Sequence, residues 1–321
     1  MEKVGIGFIG AGDVAYLHQL AFRKIPTAEI VAVFDVDAQK SRKLAGDLGA
    51  KVCESADELV NLPEVQAVYV LTPEPGHHEN VMRALYAGKH TFVEKPVSFS
   101  REPIREWIAL SNRKSCLCVP GHNYIHAPGI RSMKKRIAAG ELGNIHTLWI
   151  LYMFALPEEM RRHVPGPLRE VMVHHFYSML YLVGKPETVM ATESDFSGRG
   201  HAKADQALIV CRIPGGGLAT LFASYATDDM TNDPWTVAYK VLGTEGSASH
   251  NWSTSRLRSR PQPSWDLPAY FDTFEEEDRY FIEECVLRRE KPLSSMEEAL
   301  VCLDIFSAAE KSIATGATQN L

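Results

Sequence analysis

The chain opens with short apolar, β-branched-rich runs at Val4–Ile9, Ile30–Phe34, Ala67–Leu71, His90–Val93 and Cys116–Val119. Between them, apolar positions recur at helical spacing, most clearly over Ala38–Leu48, His78–Ala87 and Arg101–Asn112. Continuous apolar strands alternating with amphipathic helices predict a parallel sheet covered on both faces, because a strand buried on both sides has no polar face to show. Near residue 120 the pattern changes. A helical stretch over Gly129–Ala139 stops at Gly140, and a long strand-like run follows at Asn144–Phe154. Strands then come in succession at Thr188–Ser194, Ala204–Ile213, Leu218–Ser224, Val237–Gly243 and Gly246–His250, with turns such as Pro214-Gly215-Gly216-Gly217 between them. Succession of this kind predicts an antiparallel sheet. Helices are expected over Leu168–Val183, Thr273–Arg289 and Ser295–Thr315, and a loop over Pro261–Pro268. The fold class is α/β followed by α+β, divided into domains 1–120 and 121–321.

Composition narrows the field rather than choosing within it. The hydrophobic fraction of 45% and charged fraction of 23% belong to an ordinary globular chain, long enough at 321 residues for two cores. A formal net charge of −6 gives no general attraction to nucleic acid or to anionic membranes. No apolar run is long enough to span a bilayer, and the N-terminus leads straight into a strand, so a cytoplasmic protein without signal peptide or anchor is expected. The six cysteines are scattered without Cys-x-x-Cys or zinc-like spacing, which predicts reduced thiols and no metal site.

The first strand runs into Gly7-Phe8-Ile9-Gly10-Ala11-Gly12-Asp13-Val14-Ala15. As a G-x-G-x-x-G/A turn, this uses Gly10 for the tight bend, Gly12 for close approach of a pyrophosphate and Ala15 for helix–strand packing. Asp13 and Val14 open the helix whose amides and positive dipole end face the phosphate. A glycine turn alone is also what any α/β protein uses to leave a strand. Here it has the strand before it, the helix after it, and Asp35 at the next strand end, where a carboxylate accepts hydrogen bonds from a ribose diol. Asp35 would repel a 2′-phosphate and Val36 offers no cation, so NAD is favoured over NADP. Lys40, Arg42 and Lys43 weigh the other way, although they read equally as the solvated face of a helix.

Two further strand ends carry candidate chemistry. Thr72-Pro73, with His77 at the start of the next helix, reads either as a strand stop and helix cap or as a wall beside the nicotinamide ribose. Glu94-Lys95-Pro96 ends the fourth apolar strand and locks a lysine between an acid and a proline. That proline fixes the backbone and can take the cis form, which would aim the ammonium.

These pieces together resemble the glucose–fructose oxidoreductase / inositol dehydrogenase (Gfo/Idh/MocA) family. The matching segments are Gly10-Ala11-Gly12 with His18, Thr72-Pro73 with His77, and Ala87-Gly88-Lys89-His90 leading to Glu94-Lys95-Pro96. Asn123-Tyr124 with Pro128, Gly140-Glu141-Leu142-Gly143 and Ala308-Ala309-Glu310-Lys311-Ser312 complete them. The resemblance spans essentially the whole chain, with Glu-Lys-Pro its most specific element. It implies an N-terminal Rossmann domain, a C-terminal open and mostly antiparallel sheet, NAD(P)-dependent chemistry on sugars or cyclitols, and homodimers or homotetramers formed through that sheet. Asn123 and Tyr124 become candidate substrate contacts, and Glu94 with Lys95 joins the cofactor side of the site.

The family pattern G-x-L-x-D-x-G-x-H-x-x-D is similar to Gly166-Pro167-Leu168-Arg169-Glu170-Val171-Met172-Val173-His174-His175-Phe176-Tyr177. Gly166, Leu168 and His174 match, while Glu170, Met172 and Tyr177 depart from it. In the family the first acid and the histidine work with the lysine, so Glu170, His174 and Lys95 are the implied catalytic set. On a continuous helix residues 170, 174 and 177 share one face, and a carboxylate four residues before a histidine can orient or charge it. The same residues on a surface helix would be an ordinary ion pair. His175 points about 100° away around the helix.

Oxidising a hydroxyl needs a base for its proton and a donor for the developing alkoxide. His174 suits the first role and Lys95 the second, and the roles can be exchanged because a buried lysine can lose its proton. Lys95, Asn123, Tyr124, His174 and Tyr177 are the expected substrate contacts. The basic stretch Arg161, Arg162, His163 and Arg169 around Pro165-Gly166-Pro167 reads as a solvated loop or subunit contact, or as a reader of an acidic sugar. The leading expectation is an NAD-dependent dehydrogenase of a sugar, sugar derivative or cyclitol. The alternatives are an NAD-dependent glycosidase or lyase with transient redox and no net cofactor change, and a non-catalytic NAD(H)-sensing protein.

Overall fold

The computed structural model describes residues 3–156, 164–196, 204–226, 235–251 and 268–321. Arg161, Arg162 and His163 of the basic stretch, and nearly all of the Pro261–Pro268 loop, lie outside them. The chain divides into two compact units, 1–126 with 270–300, and 127–269 with 301–321.

The first unit is built on a six-stranded sheet of β1 (Val4–Ile9), β2 (Ala28–Phe34), β3 (Lys51–Val52), β4 (Ala67–Val70), β5 (His90–Val93) and β6 (Cys118–Pro120). The order is β3-β2-β1-β4-β5-β6 and every pairing is parallel. All six residues of β1 and all four of β4 are buried, as unbroken apolar runs predict. The order reverses between β1 and β4, which is where an open α/β sheet leaves a crevice at its carboxyl edge. The helices have local causes as well as packing. Asp37 caps Ala38–Leu48 by accepting from the Gln39 and Lys40 amides, and Gly49 ends it in the left-handed region at φ 68°.

Residues 270–300 return to this unit. The helix Pro268–Arg279 runs into a π-helical segment, Tyr280–Leu287, whose Phe281, Ile282 and Cys285 join Phe8, Tyr69 and Phe92 in the core of the first sheet. The sequence boundary at 120/121 assigns this segment to the second domain by chain order. Its buried apolar side chains place it here, in one core with the strands of the first sheet.

The second unit has a seven-stranded sheet of β7 (Ile145–Phe154), β8 (Thr188–Ser194), β9 (Gln206–Arg212), β10 (Leu218–Ser224), β11 (Trp235–Gly243), β12 (Ser247–Asn251) and β13 (Gln319–Asn320). The order is β12-β11-β7-β10-β9-β8-β13, antiparallel throughout except for the parallel β7–β10 pair at its centre. Along β7, Leu148, Ile150, Tyr152 and Phe154 are buried while Trp149 is exposed, so one face of the sheet is covered. The register puts Trp149, Met190 and Leu218 on the other face, each about half exposed.

The single helix expected over Leu168–Val183 is two. Pro167–Glu170 ends at Val171 (φ −104°, ψ −40°), and Met172–Val183 begins beyond it. The β-branched residue sits at the joint, where the His174 amide bonds back three residues to the Val171 carbonyl. Glu170 and His174 therefore do not share one regular helix face. Among the described residues, no helix is long and apolar enough to cross a membrane.

Candidate active site

The carboxyl edge of the first sheet is assembled from strand ends. The Gly10 amide donates to Phe34 O at 2.8 Å, Leu71 to Ile9 O at 2.8 Å, Glu94 to Val70 O at 3.1 Å and Gly121 to Val93 O at 2.7 Å. Gly10 has φ +108°, and a Cβ there would lie 2.7 Å from the Leu71 carbonyl carbon, so no other residue fits the bend. Gly12 caps the Asp13–Phe22 helix without a side chain, and a Cβ there would meet nothing within 4 Å. That open ground before a helix N-terminus admits a pyrophosphate. Asp13 is exposed in the first turn and Val14 is partly buried behind it.

Asp35 braces this turn. Its Oδ2 accepts the Ala11 amide at 2.7 Å and its Oδ1 the Asp37 amide at 2.8 Å. A carboxylate has about four acceptor sites, so two such bonds leave capacity for a ribose diol. Tight glycine, open glycine, helix amides and braced acid fit a dinucleotide.

Thr72 follows β4, with its Oγ1 buried and unpartnered among the described residues. Pro73 is exposed. His77 is 1% exposed; its Nε2 lies 2.7 Å from Thr72 O and its Nδ1 3.0 Å from Val97 O, so it ties the end of β4 to the segment after Pro96. The Lys95–Pro96 bond is cis. The Lys95 amide donates to Glu94 Oε2 at 2.7 Å.

Behind Glu94 lies a polar cluster that the amino-acid pattern does not anticipate. His18 is fully buried among the rings of Tyr69, Phe92 and Phe274, with centroids 5.1–5.3 Å away. Its Nδ1 lies 2.9 Å from both Asp278 oxygens, and its Nε2 3.2 Å from Glu94 Oε1. Burial pulls the imidazole toward neutrality, but the Asp278 charge and hydrogen bond, and then Glu94, outweigh it and hold it at about 10. Neighbouring Glu277 is 2% exposed, and burial followed by the Glu94 and Asp278 charges pushes its carboxyl well up. Burial and the Asp278 and Glu277 charges likewise push the Tyr69 phenol up. His18 is visible in the sequence as part of a family segment. Its partner, 260 residues away on an acidic-looking helix, carries no signal there.

Asn123 and Tyr124 are 4% and 1% exposed. Asn123 Nδ2 donates to Thr273 Oγ1 at 2.9 Å, and the Tyr124 ring meets Tyr270 edge-on at 6.5 Å. Both thus pack against the returning segment.

In the second unit His174 is 5% exposed, and its Nδ1 lies 2.6 Å from the Tyr177 hydroxyl. Tyr177, itself 1% exposed, occupies the place of the family's second acid and holds the histidine. Tyr152 packs edge-on to the His174 ring at 6.3 Å. Glu170 lies where its charge adds to burial in pushing the Tyr225 phenol up. His175 turns the other way: Nε2 meets Phe222 O at 3.0 Å, and burial pushes it down to about 4. Arg169 pairs with Glu310 and covers the Phe306 ring at 5.1 Å.

A parallel dinucleotide-binding unit joined to a mostly antiparallel sheet defines an NAD-binding oxidoreductase. The family description "Oxidoreductase family, NAD-binding Rossmann fold" matches residues 4–122, and "GFO/IDH/MocA C-terminal domain" matches residues 130–249. The chain belongs to the Gfo/Idh/MocA family. It is 27% identical to scyllo-inositol 2-dehydrogenase (NAD(+)) of Bacillus subtilis, over 98% of this chain and 95% of that one. It is 26% identical to myo-inositol 2-dehydrogenase of Thermotoga maritima, over 96% of each. Its fold superposes on a probable dehydrogenase from Thermotoga maritima with a TM-score of 0.89, at 24% identity over 99% of this chain and 98% of that one.

Proposed function

We propose that this protein is an NAD-dependent dehydrogenase that oxidises a secondary alcohol of a sugar, sugar derivative or cyclitol. The observation that carries this reading is Lys95 at the carboxyl end of β5, on the same sheet edge as the glycine turn of β1. Gly10, Gly12, Asp13, Val14, Asp35, Thr72, Pro73, His77, Glu94 and Lys95 are proposed to hold the cofactor. When bound, NAD supplies the acceptor for the hydride. The Lys95 ammonium donates to the substrate oxygen and stabilises the negative charge that gathers there. His174, held by the Tyr177 hydroxyl at Nδ1, takes the hydroxyl proton. Glu170, Asn123, Tyr124 and Tyr177 support these groups and the substrate. The braced carboxylate of Asp35 favours NAD over a 2′-phosphorylated cofactor. The half-exposed Trp149, Met190 and Leu218 on the open sheet face support homo-oligomers that pair these faces.

The test is a pair of variants. Lys95→Ala and His174→Ala should each lower kcat by about 10²-fold or more, while NAD, titrated by protein fluorescence, still binds. Near-normal turnover in both variants would remove the assignment.

A further inference from the structure

His18 has carboxylates on both ring nitrogens. Asp278, His18 and Glu94 form a chain through the two ring nitrogens, closed by the Lys95 amide on the second Glu94 oxygen. Every link lies within the first unit, and His18, Asp278 and Glu94 are 0%, 0% and 6% exposed. A buried charged chain costs more to assemble than an apolar core of the same volume, so it is weak evidence of stability alone. What it does supply is fixed geometry. Both Glu94 oxygens are committed, and one of them holds the main chain of the residue that carries the ammonium.

We propose that Asp278, His18 and Glu94 are positioning residues for Lys95: Asp278 orients the imidazolium, the imidazolium clamps Glu94, and Glu94 fixes the Lys95 main chain. The returning segment thereby sets the aim of the lysine. The raised His18 titration agrees with this arrangement, since the imidazolium persists across the neutral and mildly alkaline range. The catalytic side of the proposal rests on the dehydrogenase reading above; the clamp itself does not.

The experiment uses the full chain with Glu94→Gln and Asp278→Asn, and Lys95→Ala alongside. Glu94→Gln keeps the shape but offers one acceptor to two donors, the Lys95 amide and His18 Nε2. In cofactor-free protein, hydrogen exchange at the Lys95 amide should rise about tenfold, while the Phe92 amide within β5 stays protected. With NAD and a sugar or cyclitol substrate, kcat should fall about 10–100-fold, by a larger factor than KM for NAD rises, as for other residues that orient a catalytic group. Asp278→Asn, one link further out, should give the same pattern with a smaller drop. Glu94→Asp keeps the charge and should recover part of the kcat.

A lowered Tm with unchanged Lys95 exchange and unchanged kcat would mean that the cluster only holds the fold, and the proposal falls. It falls equally if neither variant folds. If Lys95→Ala turns over normally, it is the dehydrogenase reading that fails, and the exchange measurement still decides the clamp.

Discussion

Raising the pH should weaken the first unit, and the size of the effect follows from His18. A free imidazole titrates near 6.5, whereas in the fold this one holds its proton to about 10. Between those values the native chain keeps a proton that the unfolded chain has lost. The associated stabilisation is complete below about pH 6.5 and drains away as pH rises through about 10. One retained proton gives a slope of about 1.4 kcal/mol per pH unit, a noticeable share of a domain's stability for each unit crossed. Glu277 acts in the same direction, because burial, followed by the Glu94 and Asp278 charges, pushes its carboxyl up. The groups facing His18 are Asp278 and Glu94, with Tyr69 and Glu277 beside them. His122 and His175, pushed down by burial to about 3 and about 4, are neutral in both states above about pH 7 and add no slope there. Below about pH 6.5 they favour the unfolded chain, so stability should peak near neutrality. The assay is native-state hydrogen exchange at the buried Ile6 and Val68 amides over about pH 7–9, corrected for intrinsic rates. Wild type should lose about 1.4 kcal/mol per pH unit through His18 alone, and His18→Gln should lose one proton's worth less. A flat profile in wild type, or parallel profiles in the two proteins, would refute the reasoning.

The other predictions come from single positions. Glu277→Gln removes a buried ionisable group and should raise stability at pH 8 by about 1–3 kcal/mol, with the gain shrinking toward pH 4.5; urea titrations at both values read it. The two turn glycines should separate fold from binding. Gly10→Ala drives a Cβ into the Leu71–Thr72 backbone at φ +108° and should cost about 3 kcal/mol or more, seen as a lower Tm. Gly12→Ala faces open space and should leave Tm within about a degree while weakening NAD at least about tenfold by calorimetry. Tyr177→Phe removes the partner of His174 Nδ1 and should cut kcat about 10-fold with little change in KM; an unchanged kcat would detach Tyr177 from the histidine's work.

Much of the first sheet is legible in the sequence because its signal is local. Five apolar runs and their helices fall where periodicity puts them, and Gly10, Gly12 and Asp35 occupy the strand ends that the motif requires. β3, two exposed residues long, has too little pattern to be seen. In the second unit six of the seven strands are visible one by one, but not the two-residue β13 nor the parallel pairing of β7 with β10, since a chain's order does not specify which edge a later strand joins. The break at Val171 escapes because local helix propensity runs through it. Glu170 therefore sits in a short turn of helix, and the residue seen holding His174 is Tyr177, which the sequence offers as a substrate contact. The hidden part of the site is long-range. Asp278 reads as one acid among several on an amphipathic helix, and only tertiary packing brings it to His18. Buried charge networks of this kind leave little periodic trace, because each member contributes one polar residue to an otherwise apolar face.

The central claim is net hydride transfer, and cofactor stoichiometry tests it most directly. Purified protein, cleared of bound nucleotide and supplied with excess NAD, is screened against inositols, aldoses, lactones and uronic acids. Reduced-nicotinamide absorbance is followed while the carbon product is quantified by NMR. The account predicts that at least one neutral cyclitol or sugar yields a ketone or lactone and NADH in equal amounts, and that Lys95→Ala abolishes both. Product without accumulated NADH would mark transient redox in a glycosidase or lyase. Tight NAD binding with no turnover of any substrate would mark a sensor. Either result would contradict the account.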